Sequence, residues 1–488
     1  MVPSPHPSRA SARPRLGELL HEGSLSRHLG ETFRAAGHEL YLVGGRVRDA
    51  LLGRDPDHLD FDFATDAPPE RTRALVEPLA SAVWLQGIEF GTVGARIDGL
   101  TAEITTYRTE RYMPSSRHPD VTFAADITTD LSRRDFTVNA MAVGLPDGAL
   151  VDPFGGQGDL DAGRLRTPID PRDSFADDPL RMLRAFRFAS ELGFGVDTGV
   201  LAAVSELRDA LRGVSAERIR DELSRLLEGA DPGRALELAD ATGLSDLFLP
   251  ELSQLKLEQD PVHRHKDVFR HTLAVVERAP ADLEVRLAAL LHDVGKPRTR
   301  RITPEGVTFH LHEVVGAKIA GRRLRELRYP SKVVDDVTEL IRLHHRFHTY
   351  GLGWSDSAVR RYVRDAGALL GELNDLVRAD CTTRNPAKAR RLAARMDELE
   401  RRIAELAEQE ELRRIRPELD GRQVMAFLGA APGPIVGDAL DFLLELRLEE
   451  GLVGPDAAYG RLDAWARTRG LTPAGERVPP KQKERGDG

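Results

Sequence analysis

The sequence predicts an α+β multidomain protein: a mixed sheet with helices over residues 16–160, followed by all-α domains. Short apolar runs punctuated by glycine and suited to strands fall before about residue 110. Later segments place leucine and alanine at helical spacing. A length of 488 residues allows roughly three or four domains. The expected divisions are a disordered tail over 1–15, the sheet-containing head over 16–160, a helical neck and body over 161–256, a histidine-bearing helical domain over 257–385, a helical tail over 386–473 and a disordered end over 474–488.

Met1 to Arg15 is rich in Pro, Ser, Arg and His and lacks the apolar core of a signal peptide, so it reads as a disordered tail. Leu16, Leu19, Leu20, Leu25 and Leu29 predict a helix over 16–35. The apolar run Tyr41–Val43 predicts a buried strand, and Gly44 and Gly45 then let the backbone approach a ligand. A helix over Arg46–Leu52 follows, closed by Gly53. Its free N–H groups and positive dipole end suit a phosphate, to which Arg46 and Arg48 can add charge-assisted contacts. In the strand after it, Asp60 and Asp62 are two residues apart and share one face, while Phe61 and Phe63 face the core. Adjacent carboxylates repel unless a cation sits between them, and magnesium takes oxygen ligands that it commonly shares with substrate phosphates.

Pro68–Pro69 opens a helix over Glu70–Leu79, and strands are expected at Gly91–Ile97 and Ala102–Arg108. Glu103 is a candidate third carboxylate, an exposed strand position being the equal alternative. Arg111 to Asp120 reads as a mobile polar loop. Leu131–Ala142 alone reads as a capped helix, and Asp152–Gly156 as a turn. Pro179 fits the first turn of a helix with an aspartate cap, on which Asp178 and Arg181 share a face. Ser215 caps a helix through Leu223 for which no chemistry follows from the residues. Further on come His271, His292-Asp293, His312, His344-His345 and Asp380 between helical segments, a mixed imidazole and carboxylate set suited to a transition metal. Asn385–Glu418 reads as a long exposed helix, and two more helices start near Asp420 and Pro434.

A net charge of −9 means that RNA binding would rest on local basic surface. No apolar run reaches membrane-spanning length. Cys381 is the single cysteine, which excludes an internal disulfide and fits the cytoplasm.

Leu42–Gly53 with Asp60–Thr65 resembles the nucleotidyltransferase superfamily of DNA polymerase β, and more closely the bacterial CCA-adding tRNA nucleotidyltransferase and poly(A) polymerase family. The resemblance implies a polymerase-β-like head with Mg2+ on Asp60 and Asp62, CTP and ATP as substrates and tRNA as partner. By the same resemblance Arg134, Asp135 and Asn139 contact the sugar and phosphates of the nucleotide, together with Gly44, Gly45, Arg46 and Arg48. The stretch Asp177-Asp178-Pro179-Leu180-Arg181-Met182-Leu183-Arg184 is similar to the family's protein template, with Asp177 where Glu is common. The loop over 111–120 corresponds to one that assists addition of the final A. Leu291–Pro297 resembles the HD-type metal phosphohydrolases, which implies a divalent transition metal on His271, His292, Asp293 and Asp380. The expected activity is template-free addition of C, C and A to tRNA. A poly(A) polymerase, a CC-only or A-only enzyme, and an HD phosphohydrolase whose head merely binds RNA stay open.

Overall fold

Residues described in the computed structural model are 17, 20–21, 23–54, 60–86, 88, 91–111, 120–123, 126–257, 267–303, 306–349, 355–381, 386–410 and 415–479. They fall into two units, residues 1–254 with 326–329, and residues 255–325 with 330–488. The expected N-terminal tail, and the loop between Arg111 and Asp120, lie outside the described residues.

In the first unit Ser24 caps helix α1 (Leu25–Ala35), so the helix expected over 16–35 is interrupted: Gly17 is helical, Leu20 and Gly23 lie in turns, and a new helix begins at Leu25. A left-handed Gly23 and the Ser24 cap set that start. Strand β1 (Leu40–Val43) runs into α2 (Gly45–Leu52), and Gly53, left-handed at φ 68°, ends the helix. Next come β2 (Asp60–Thr65), α3 (Pro69–Val76), β3 (Ala82–Trp84), β4 (Thr92–Ile97) and β5 (Leu100–Thr106). Strands β6 (Arg108–Arg111) and β7 (Asp120–Phe123) pair with each other as a separate ribbon. After α4 (Ile127–Ser132), β8 (Ala142–Gly144) and β9 (Ala149–Val151) complete the head sheet.

That sheet has seven strands in the order β3-β4-β5-β2-β1-β8-β9. Its pairings are antiparallel except β2 with β5, which run parallel and set Asp62 opposite Glu103. Phe61 and Phe63 are buried while Asp60 and Asp62 are exposed, the alternation a two-residue strand period requires. Leu131–Ala142 departs from the expected helix: α4 stops at Ser132, and after Arg133–Phe136 a single 3₁₀ turn covers Thr137–Asn139. Asp126 caps α4, and Arg133 and Arg134 fold back onto the buried Asp130 carboxylate, so their side chains are held locally rather than along a helix.

After α5 (Gly156–Ala162) the unit is helical through α6 (Pro171–Asp177), α7 (Leu180–Leu192), α8 (Thr198–Leu207), α9 (Ala216–Glu228) and α10 (Pro232–Ala241). Helix α7 packs on both α9 and α10 and is buried on most sides, which explains its run of Leu180, Met182, Leu183, Phe186 and Phe188.

The second unit contains α11 (Val268–Arg278), α12 (Leu283–Leu291), α13 (His312–Glu326), α14 (Ser331–Leu343), α15 (Asp356–Ala366) and α16 (Leu370–Asp380). A hairpin of β10 (Arg300–Thr303) and β11 (Gly306–Phe309) interrupts what was expected to be wholly helical. Helix α17 (Pro386–Glu410) is long but not exposed all round, because Leu392, Met396, Leu399 and Leu406 are buried and the helix packs on α15 and α16. Several of its charges are paired, Arg378 reaching Asp397 and Glu400, so its surface is a solvated ion-pair face. Helices α18 (Gly421–Leu428), α19 (Pro434–Glu450) and α20 (Pro455–Thr468) close around a core that includes Phe427, Leu443, Tyr459 and Trp465. The end expected to be disordered from Ala474 is held as far as Val478 by bonds from Gly475 N–H to the Phe427 carbonyl and from the Gln423 amide to the Val478 carbonyl.

Candidate active site and candidate metal centre

A cleft of about 480 Å³ opens where β1 gives way to α2. Gly44 adopts φ 75°, and a Cβ there would stand 3.4 Å from both Arg134 Nη1 and Asp62 Oδ2. Its glycine therefore lets the helix start close against a cation and a carboxylate. Arg46 donates from Nε to the Asp60 carbonyl at 2.9 Å and lies 3.9 Å over the Phe61 ring, which holds it along the strand that carries the aspartates. Arg48 donates to Asp49 at 2.8 Å and to Asn139 Oδ1 at 2.9 Å, tying the helix to the 3₁₀ turn.

Asp60, Asp62 and Glu103 project from one face of neighbouring strands. Although solvent reaches Asp62, the surrounding cleft wall pushes its carboxyl above the ordinary range, and the charge of Asp60 adds to this while Arg134 opposes it. Surrounding protein and then the charges of Asp62 and Asp60 raise Glu103 as well. An oxygen-only set of crowded carboxylates that resist joint ionisation fits a hard divalent cation.

Asp135 is buried, and its two oxygens are occupied: Oδ1 accepts from Phe136 N–H at 2.8 Å and Asn139 at 3.0 Å, Oδ2 from Arg184 at 2.9 and 2.5 Å. Burial disfavours its charge, but Arg184 and Asn139 overcome this and hold Asp135 well below the usual carboxylate range. The residue expected on the ribose thus also anchors Arg184. Arg184 in turn reaches Glu222 at 3.3 Å, and Glu222 lies 2.9 Å from the fully buried Arg187. Arg48, Arg184 and Arg187 all lie over the Phe188 ring, at 5.4, 5.5 and 3.9 Å.

Asp178 and Arg181 both line the cleft and do not pair with each other. Asp178 Oδ1 accepts from Leu180 N–H at 3.1 Å and Oδ2 from Arg218 at 2.9 Å. Arg181 donates to the Ser174 carbonyl and hydroxyl at 3.2 and 3.0 Å and to the Arg133 carbonyl at 2.5 Å. Five N–H groups on a guanidinium leave Arg181 further donors for a ligand. The cleft thus brings together the expected residues from Gly44 to Arg184. It adds Asp49, Arg133, Arg187, Phe188 and Arg225, which sequence reading missed. The Arg-Arg-Asp and Arg-x-x-Arg spacings carried a signal for Arg133 and Arg187.

In the second unit His271, His292, Asp293 and Asp380 converge: His271 Nε2 lies 3.0 Å from Asp380 and 3.4 Å from His292 Nε2, which lies 3.2 Å from Asp293 Oδ2. A second group, His312 and His344, converges on the same Asp293. His292, His312 and His344 direct Nδ1 to the carbonyls of Ala289, Phe309 and Ile341 at 2.8, 3.0 and 2.6 Å. A carbonyl only accepts, so Nδ1 carries the proton and Nε2 is left as a ligand atom. Burial drives His344 down to about 3 and lowers His312, which keeps both rings neutral. Asp293 Oδ1 is buried without a hydrogen-bond partner among the described residues, although Lys296 bonds Oδ2 at 2.6 Å. A buried carboxylate oxygen facing imidazole nitrogens is what a bridging metal ligand requires. His345 is exposed, its ring 5.1 Å from that of His312.

A helix start with paired arginines beside clustered carboxylates, on a mixed sheet, defines a metal-dependent nucleotidyltransferase, here joined in one chain to an HD unit. Residues 40–166 match the poly A polymerase head domain, 193–255 the probable RNA and SrmB-binding site of polymerase A, and 268–411 the HD domain. An A-adding tRNA nucleotidyltransferase of Deinococcus radiodurans is 36% identical over 445 residues, 87% of this chain and 95% of the relative. A CC-adding tRNA nucleotidyltransferase of Thermus thermophilus is 35% identical over 434 residues, 85% of this chain and 91% of the relative. The crystal structure of the Bacillus stearothermophilus CCA-adding enzyme in complex with CTP superposes with a TM-score of 0.67 at 26% identity, covering 94% of this chain and 99% of that one. The chain belongs to the bacterial tRNA nucleotidyltransferase and poly(A) polymerase family.

Proposed function

We propose that the protein adds C, C and A to the 3′ end of tRNA from CTP and ATP, with amino-acid side chains in place of a nucleic-acid template. The observation that carries this reading is the placement of Asp178 and Arg181 on the wall of the same cleft that holds Gly44, Arg134 and the carboxylates. Cytosine and adenine both show an amino donor beside a ring-nitrogen acceptor, while uracil and guanine show the reverse order. Asp178 only accepts and Arg181 only donates, so the pair suits C and A, and a mismatched buried group costs about 1–3 kcal/mol.

Gly44 and Gly45 with the start of α2 receive the triphosphate, Arg46, Arg48 and Arg134 add positive charge, and Asp135 with Asn139 orients the sugar side of the cleft. Asp60 and Asp62 would hold magnesium, with Glu103 as a third oxygen ligand, and the metal would supply charge neutralisation at the triphosphate and activation of the terminal 3′-hydroxyl. In the HD unit His271, His292, Asp293 and Asp380 would hold a divalent transition metal, and Asp293 with His312 and His344 would offer a second set of ligand atoms, an arrangement suited to phosphoester hydrolysis.

The deciding experiment incubates tRNA lacking its 3′ end, and tRNA ending in C or CC, with CTP, ATP or both, and sequences the products. Complete CCA is expected. Growth stopping at CC, addition of A alone to a CC end, or a run of A would each replace the reading with the corresponding narrower enzyme or a poly(A) polymerase.

A further inference from the structure

Helix α9 begins with the segment Ser215–Leu223, for which the residues alone gave no chemistry. In the fold this helix packs against α7, which contributes Arg181, Arg184, Arg187 and Phe188 to the cleft. Arg218 donates from Nη2 to Asp178 Oδ2 at 2.9 Å, and Glu222, four residues later and on the same face, meets Arg184 and Arg187. We propose that Arg218 is a positioning residue for base selection: it fixes the carboxylate plane of Asp178.

Asp178 is held from two sides. Its side chain is mostly buried and sits in the extended link between α6 and α7. Oδ1 is pinned by the Leu180 amide on one side, and Oδ2 by Arg218 on the other. Two bonds to different oxygens lock rotation of the carboxylate, whereas one alone leaves it free to turn about its last torsion, which has broad minima. Each oxygen keeps a lone pair after these bonds, so acceptor capacity remains. Hydrogen bonds to sp² oxygen favour the carboxylate plane, so fixing that plane decides whether an amino group at the base edge is met in line or missed. Arg218 itself is half exposed. An ion pair of this kind adds little to folding, so its consequence lies in the geometry of its partner.

This inference rests on the base-reading role proposed for Asp178, and the experiment separates the two. The measurement is kcat/KM for CTP and for UTP with tRNA lacking its 3′ end, in wild type, Arg218→Ala, Arg218→Lys and Asp178→Ala. The CTP:UTP ratio should fall about tenfold in Arg218→Ala, the share of a mismatch penalty lost when the acceptor is loosely aimed. It should fall less in Arg218→Lys, which can still donate to Oδ2, and it should collapse in Asp178→Ala. An Asp178→Ala ratio equal to wild type would remove the base-reading role itself. With that control behaving as expected, an Arg218→Ala ratio that is unchanged, or that rises because Arg218 merely competes with the base, would overturn the positioning role. An equal loss of activity on both nucleotides would do the same. Should the alanine variant fail to fold, Arg218→Gln replaces it in the same comparison.

Discussion

In the first unit Asp60 and Asp62 stand exposed on the cleft wall among Arg46, Arg48 and Arg134, and Glu103 stands exposed on the neighbouring strand opposite Asp62. In the histidine cluster of the second unit His292, Asp293, His312 and His344 are all 5% exposed or less, and backbone carbonyls fix the rings. As a metal site, the first arrangement would supply only part of a coordination sphere and leave the remainder to a bulky polyanionic substrate, as magnesium sites do. The second supplies a nearly full set of mixed nitrogen and oxygen ligands and orients them before any metal arrives. A protein that binds its metal with its substrate keeps carboxylates in the open; one that keeps its metal buries the ligands.

The sharpest way to break this contrast is to remove a ligand from the open site. Asp60→Ala or Asp62→Ala should lower kcat for nucleotide addition by about 10³-fold or more, the equivalent of several kcal/mol of charge stabilisation. Binding of tRNA and the melting temperature should be nearly unchanged. Turnover close to wild type in either variant would remove the pair from the reaction. In the buried site Asp293→Ala takes away the oxygen that both histidine groups share. Metal content measured by elemental analysis should fall to background, while CCA addition stays within about twofold of wild type because the two ligand sets have no side chain in common. Retained metal would show that Asp293 is not a ligand.

A smaller effect concerns what holds the open cleft together. Asp135→Asn keeps the size of the side chain and breaks the buried pair with Arg184, so stability at neutral pH should fall by about 3 kcal/mol. The folded-state pKa of Asp135 is depressed, so its contribution is present in full above the unfolded value near ~3.9 and is lost as pH falls through the folded value. Wild type and variant should therefore differ fully at pH 7 in urea titrations, begin to approach each other only below about pH 4 and draw closer as pH falls further towards the folded value. A difference that persists unchanged in acid would show that the aspartate is not held by its charge.

Much of the first site was legible because its parts are local. Strand period two placed Asp60 and Asp62 together, and a glycine pair between an apolar run and an amphipathic one announced the helix start. The HD pair was legible as adjacent residues, with His271 and Asp380 recovered by resemblance. Contacts that join distant segments were not legible. Arg184 meets Asp135 across 49 residues and Arg218 meets Asp178 across 40, and no spacing rule predicts which helix faces which. The long helix α17 misled for a related reason: its charge pattern is that of a solvated helix, and only the packing on α15 and α16 shows which leucines are covered.

The hairpin joining β4 to β5 turns through two residues, Asp98 at φ 50° and Gly99 at φ 79°, with Ile97 paired to Leu100. Such a turn admits one strand alignment, because its twist matches that of its flanks. Four residues past it Glu103 stands opposite Asp62. Adding one residue at the tip would slide β5 by a step and turn Glu103 inward, into the apolar layer that Ala102 and Ile104 now fill. The hairpin tip therefore works as a gauge block for the carboxylate cluster: it lies away from the cleft, yet its length decides whether the Glu103 carboxylate stands beside Asp62.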